Sequence, residues 1–213
     1  QGEGRYVTVR GMNTDLNAMT INGVSTASPE DRRGVILDGV PTDLLDSMTV
    51  YKTLTPNLDA DTIGGAIDLE TISAFSYGSN FVKFKAETSR NDLTKDSSNP
   101  KLSGTYTTVI PQESGDLGIA FVISSQERRI KAENNETGGW GSTYVDDDYE
   151  MRYYDLTRER DGIVLNLDYV SNSGSKTYLH LFHNEYEDVE YRAKWEVRDV
   201  MEEYTPTISG TVA

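Results

Sequence analysis

The stretch KTLTPNLDADTIGGAIDLET, residues 52–71, gathers the side chains best suited to hold a cation or a phosphate. Asn57, Asp59 and Asp61 alternate along a turn, as oxygen ligands do in a calcium loop. Such a loop also needs glycine at its sixth position and glutamate at its twelfth. Counted from Asn57, those positions hold Thr62 and Asp68, and no helical period flanks the loop. A phosphate cradle needs glycine-rich backbone running into a lysine, a hydroxyl residue and a helix. Here Gly64 and Gly65 run into the period-two pattern Ala66–Thr71 instead. The glycines are therefore expected to serve the backbone, by close approach or by positive φ at the start of a strand. No metal or other cofactor is expected.

Nothing else in the chain assembles a catalytic set. His180 and His183 are three apart on a strand pattern, which points them to opposite faces and makes them poor joint ligands. No serine sits in a nucleophile-elbow context. There is no cysteine, so disulfides, thiolate metal sites and thiol nucleophiles are excluded. An enzyme is not expected.

Composition narrows the class. Lys and Arg total 20 and Asp and Glu 35, a formal charge of −15 over 213 residues. No basic stripe is present for a phosphate backbone, so nucleic acid is not an expected partner. No apolar run is long enough for a transmembrane helix, which leaves open a membrane barrel, whose alternating strands keep mean hydropathy low. The chain opens on Gln1 without a methionine or a signal segment, and is expected to be an internal piece of a longer protein.

The elements fall into two styles. Up to about residue 75 they are short and mixed. RYVTVRG (5–11) reads as a strand, AMTINGV (18–24) as a strand with an Asn22-Gly23 turn, and VPTDLLDSMTVYKTL (40–54) as a short helix followed by a strand. From residue 76 the pattern is long alternating strands: 80–89, 101–110, 116–127, 162–170 and 177–186. Tight connections (111–116, 171–176) alternate with long polar ones (90–100, 128–150). That is the rhythm of an up-and-down sheet crossing a barrier. Ile163, Leu165, Leu167 and Tyr169 share one face, Asn166 and Asp168 the other. Alternation alone fits a barrel or a soluble sandwich equally. Length favours the barrel, because 177–199 keeps one phase throughout, far beyond the usual five or six residues.

Three stretches carry a family resemblance: GRYVTVRGMN…MTINGV, VPTDLLDSMTVYKTLTPNLDADTIGGAIDLET and the following SAF. Together they resemble the plug domain of TonB-dependent outer-membrane receptors, most closely the branch first noted in Xanthomonas and Caulobacter. The resemblance implies an α+β plug segment (the C-terminal part of the plug) over residues 1–75. It implies that residues 76–213 are the first five or six antiparallel up-and-down strands of a much larger transmembrane β-barrel. It further implies a fragment of an active transporter in the outer membrane of a Gram-negative bacterium. Such a transporter takes up a scarce nutrient such as a carbohydrate or an iron-siderophore. Its partners would be the TonB energy-coupling protein, outer-membrane lipid and a small-molecule or oligosaccharide substrate. The alternative reading is a soluble β-rich ligand-binding or adhesion module.

The same resemblance assigns roles. Arg10, before Gly11, matches an arginine at the plug–barrel junction that pairs with barrel carboxylates. Glu87, in phase with Lys83 and Lys85, is its candidate partner. Gly64 and Gly65 form the turn through which the chain leaves toward the barrel, and Gly11 is a further structural turn residue. Substrate contacts are expected from plug loops at Asn13, Asp15, Asn17, Glu30, Asp31, Arg32 and Arg33, with Trp140 and Tyr144 supplying aromatic faces. Tyr169 and Tyr178 flank the 171–176 turn as an aromatic girdle would.

Overall fold

The structure is a computed structural model describing residues 4–26, 28, 31–34, 36–53, 55–56, 58, 62–78, 80–95, 99–137 and 149–197. The first sheet has four strands: β1 (Asn17–Ile21), β2 (Val24–Ser25), β3 (Leu45–Tyr51) and β4 (Gly65–Thr71). Their order is β2-β1-β4-β3, with β1 parallel to β4 and the other pairs antiparallel. The β1–β2 hairpin turns on Asn22 (φ 52°) and Gly23 (φ 75°), two left-handed residues, as this tight turn requires. Asn22 also ties the turn to β4: its amide donates to Thr71 Oγ1 at 2.8 Å and its carbonyl accepts from the Thr71 N–H at 2.9 Å.

Two expectations for this region are corrected. Helix is limited to single 3-10 turns at Thr14–Leu16, Thr42–Leu44 and Ala74–Ser76, and there is no α-helix among the described residues. Pro41 caps the second turn, and the chain turns extended again at Leu45, so the helix has no length in which to grow. Residues 5–11 are not a strand. Val7 and Val9 do pack inward, against Met19, Ile67 and Leu69. Their segment joins no ladder: the Val7 carbonyl accepts from Asn17 Nδ2 and the Arg5 carbonyl from the Leu37 N–H.

Gly64 and Gly65 are close-approach glycines, and neither has a left-handed φ. A Cβ at Gly65 would stand 2.7 Å from Val9 Cγ1 and 2.9 Å from the Tyr51 carbonyl oxygen, and one at Gly64 would collide with the Asn17 side chain. Of the two roles open from the sequence, tight packing is the one they fill.

The second sheet is an antiparallel meander in chain order: β5 (Phe81–Ser89), β6 (Asn99–Gln112), β7 (Gly115–Thr137), β8 (Tyr149–Ser171) and β9 (Lys176–Val197). The tight turns meet at one end, where the Asn172 N–H donates to the Ser114 carbonyl at 3.0 Å and Asn172 Nδ2 to the Glu113 carbonyl at 2.9 Å. The long connections lie at the other end. Residues 128–150 are not one loop, however. β7 and β8 stay paired up to Thr137 and Tyr149, so only 138–148 lies outside the described residues.

Pairing fixes the two faces of this wall. One face packs on the first sheet through Ala120, Val122 and Val164, fully buried with Leu44, Ile72 and Ala74. The other face carries an apolar belt in register across the strands. Phe84, Ile123 and Ile163 form one row, Tyr106, Phe121, Leu165 and Leu181 the next. Ile119, Leu167 and Leu179 follow, then Ile110, Leu117 and Tyr169. Tyr178 belongs to the inner phase, paired with Asp168 and with its ring 4.9 Å from that of His180. Tyr169 alone of the two tyrosines is in the outer belt.

Candidate functional site

The seam between the two sheets is where the chain concentrates buried polar chemistry. It is built from two bumps and a set of polar clasps. Leu44, on the turn after Pro41, enters a recess at Gly162 of β8, where an added Cβ would collide with Leu44 Cδ1 and stand 3.3 Å from Pro41 Cγ. Phe75, on the turn after Ser73, covers Gly118 of β7, where a Cβ would stand 2.7 Å from the Phe75 ring and 3.2 Å from Ala74 Cβ. Strand interiors disfavour glycine unless a neighbour approaches closely. Both glycines meet that condition.

Beside the first bump lies a charged clasp. Asp38, with a side chain 2 % exposed, has Arg158 Nη1 of β8 at 3.6 Å and Arg5 Nε at 3.9 Å. Arg158 is 1 % exposed and also pairs with Asp188 of β9 at 3.2 Å. Arg160 Nε donates to the Asp38 carbonyl, and Asn184 of β9 donates to the Gly39 carbonyl at 3.0 Å. Charges this deep must be paired to be tolerated. Asp43 supplies a second contact, with Lys101 Nζ at 2.6 Å and Lys85 Nζ at 3.5 Å. Burial pushes its carboxyl up, and the hydrogen bond and charge of Lys101, then of Lys85, more than offset this and leave it below its ordinary value.

Beside the second bump the clasp is neutral and acidic. Asn166, fully buried, donates to Thr71 Oγ1 at 2.7 Å and to the Ile72 carbonyl at 2.9 Å. Ser73 donates to Asp168 Oδ2 at 3.0 Å, and Asp168 Oδ1 lies 2.8 Å from His180 Nε2. His183 is in the opposite phase, paired with Ile163 of the outer belt.

The expected anchor pair is not brought together. Arg10 is exposed, with φ 57°, and its guanidinium donates to Thr53 Oγ1 at 3.4 Å. Glu87 pairs with Lys85 of its own strand at 2.7 Å. The polarity across this seam is the reverse of the expected one: the carboxylates Asp38 and Asp43 come from the first unit, and the cations Arg158, Arg160, Lys85 and Lys101 come from the wall. Gly11 has φ 68° and forms a left-handed pair with Arg10, as a turn residue should.

The loop residues Asn13, Asp15 and Arg32 do cluster, whereas Asn17 opens β1 and its amide donates to the Val7 carbonyl at 3.1 Å. Asn13 caps the Thr14–Leu16 turn through the Asp15 N–H at 3.0 Å. Arg32 Nε and Nη2 reach Asp15 at 3.0 and 3.1 Å and Nη2 reaches Thr14 Oγ1 at 3.0 Å, while its guanidinium lies 4.6 Å from the Tyr6 ring centre. Hydrogen bonds from Arg32, then from the Gly34 N–H, hold the Asp15 carboxyl below its ordinary value. These groups satisfy one another. Asp31 and Arg33 lie on the same exposed loop. Trp140, Tyr144, Glu30, Asn57, Asp59 and Asp61 fall outside the described residues. Among those described, no group of three or more His, Cys, Asp or Glu is placed to hold a metal ion.

The residues that make the seam were not singled out from sequence. Arg158 and Arg160 sit in DLTRERDG, where charged residues occupy both strand phases. Their signal is phase: they share it with Leu156 and Val164, whereas Glu159 and Asp161 share that of Ile163 and Leu165.

Fold and seam together define a class: a strand wall, apolar outside, with a small mixed-sheet unit docked against its polar inner face. The comparison with protein families agrees for the docked unit. Residues 1–66, less than half of the chain, match the family model described as TonB-dependent Receptor Plug Domain. That match supports the TonB-dependent receptor family, whose members are outer-membrane transporters. No curated protein and no solved structure gives a significant match.

Proposed function

We propose that the chain is the plug-to-barrel portion of a TonB-dependent active transporter of a Gram-negative outer membrane. Residues up to about 75 act as plug and the strands from 76 onward as the first part of the barrel. The observation that carries this reading is the two-faced wall. Its outer face is a belt of Ile, Leu and Phe with Ile123 and Leu181 about half exposed, and its inner face clasps a unit that matches plug domains. A soluble module would leave that belt in water. Lipid is the natural cover for a belt that is apolar on every strand.

In this reading TonB supplies energy through a segment preceding the plug, and the cargo is a scarce nutrient of the carbohydrate or iron-siderophore kind. The tight turns 111–116 and 171–176 face the periplasm, and the opposite end of the wall, where Ser89 meets Asn99 and Thr137 meets Tyr149, faces outside. The chain has no cysteine, so single-cysteine labelling is clean. On intact cells, a membrane-impermeant maleimide should label Asp92→Cys and spare Ser173→Cys. Labelling of Ser173→Cys from outside, or recovery of the protein away from the outer membrane, would overturn the reading.

A further inference from the structure

Charge is segregated across the wall. From the Lys83 row to the Leu156 row, the inner positions of β5–β8 hold Lys83, Lys85, Lys101, Arg128, Arg158 and Arg160, against one carboxylate, Glu87. β9 adds Asp188 and Glu190 at the border. Over the same rows the outer face of β7 and β8 carries Glu127, Glu159 and Asp161 with the single cation Arg129. In a chain of net charge −15 this face of the wall is positive, and Asp38 and Asp43 of the docked unit offset part of that charge. A positive surface walled by low-dielectric protein focuses its field on anions.

A cavity of about 430 Å³ opens on this surface, between the Leu37–Thr42 loop and the wall residues Lys101, Gln126 and Arg160. We propose that this cavity binds an anionic group, a carboxylate or a phosphate, of the transported solute, with Lys101 and Arg160 as its charge partners. The proposal rests on the transporter reading above and adds the charge class of the solute.

The chemistry is suited to that task. The Lys101 ammonium is held in place by Asp43, yet an ammonium has three N–H donors and one carboxylate contact does not exhaust them. The guanidinium of Arg160 is positioned by the Asp38 carbonyl and by Gln126 Oε1 at 3.4 Å. The one carboxylate lining the cavity, Asp38, is turned to Arg158 and Arg5, which neutralise it. Thr42 and Gln126 add a hydroxyl and an amide at the rim. The cations are thus fixed before a ligand arrives, which lowers the ordering cost of binding.

The test is calorimetric titration of inorganic pyrophosphate, with sucrose as a neutral probe, into the purified protein in detergent. Pyrophosphate should bind, and more weakly as salt rises. Lys101→Gln should weaken it by about tenfold or more, the scale of one charge-assisted hydrogen bond. Lys101→Arg should keep binding, and Lys131→Gln, a cation on the outer phase, should leave it unchanged. Arg160→Gln should also weaken binding. Lys101 and Arg160 both also clasp the docked unit, so Asp43→Asn, which loosens the same clasp and frees Lys101, decides: it should keep or strengthen binding, and an equal loss of binding would show that the variants act through docking. No pyrophosphate binding, equal weakening by Lys131→Gln, or sucrose binding that depends on Lys101 would overturn the site. Membrane fractionation of the same cells separates the two claims. Outer-membrane protein without pyrophosphate binding sinks the anion site alone. Binding by a protein found elsewhere leaves the anion site and removes the transported solute.

Discussion

The Leu44 recess offers the sharpest perturbation. Leu44 is fully buried, surrounded by Ile72, Ala74, Ala120, Val122 and Val164, and its Cδ1 occupies the space that a side chain at position 162 would need. Gly162→Ala therefore drives a methyl into Leu44, and overpacking of this kind costs about 1–3 kcal/mol. Leu44→Ala removes three carbons from a closed site, at a cost of about 2–5 kcal/mol. The two changes are complementary, since the new methyl enters the space the leucine leaves. The double variant should recover, with a coupling of about 0.5–3 kcal/mol. Hydrogen exchange of the backbone amides in 37–45, followed in the folded protein, reads the opening free energy of the docked turn. The wall is held by its own ladder, so exchange in β7 and β8 should stay slow in every variant. Strictly additive costs, or a neutral Gly162→Ala, would show that Leu44 does not seat against Gly162.

Other outcomes follow from the same contacts. Arg158→Met should destabilise docking by about 3–5 kcal/mol, because Asp38 is left buried beside a neutral chain; adding Asp38→Leu should return much of that loss in a urea titration followed by protease resistance of the plug. Asp43 ionises in the folded state below its ordinary 3.8, so its contribution is complete above that pH and is lost as the pH falls below it. Protease protection of the plug should drop on acidification from pH 5 to below 3.5, and the drop should shrink in Asp43→Asn. Leu165→Arg should cost about 2–4 kcal/mol in lipid, and the same change at Thr157, beyond the belt, much less; equal costs by refolding titration in bilayers would mean the belt is misplaced. Arg10→Ala should change docking by less than about 0.5 kcal/mol, as an exposed residue with one long hydrogen bond, and loss of plug protection in that variant would restore the anchor expected from sequence.

What could be read from the sequence was what leaves a periodic or a turn signature. The Asn22-Gly23 turn, the two tight hairpins and the phase of Ile163, Leu165 and Leu167 all have one. The outer half of the wall does not. In RRIKAENNET only Ile130 and Ala132 interrupt the polar run, too little alternation to mark residues 128–137 as strand; the ladder to β8 and the packing of Ile130 and Ala132 on Tyr154 and Leu156 hold them. Val7 and Val9 show the converse: their alternation is real, burying Val9 and half-burying Val7, but with no partner edge it makes no strand. The seam was hidden for a third reason. A buried arginine is written with the same letter as an exposed one, and Arg158 is buried only because Asp38, far away in sequence, comes to meet it. Asn166 likewise reads as the wet side of a strand, yet it is closed in by Thr71 and Ile72. At Arg158 and Asn166 a polar position of this wall marks the docked unit, not solvent.

The clasps also set an order of events during biogenesis. Asp38 meets Arg160 across 122 positions, Gly39 meets Asn184 across 145, and Ser73 meets Asp168 across 95. Each joins a residue made early to one made late, and contacts of such long range form slowly. Until β8 exists, Leu44 and Phe75 have no recess to enter and the Asp38 carboxylate has no wall arginine. A nascent chain translated to residue 75 thus holds two apolar turns without their recesses and an acid with Arg5 beside it. Those two turns therefore stay without their glycine recesses until β7 and β8 are in place.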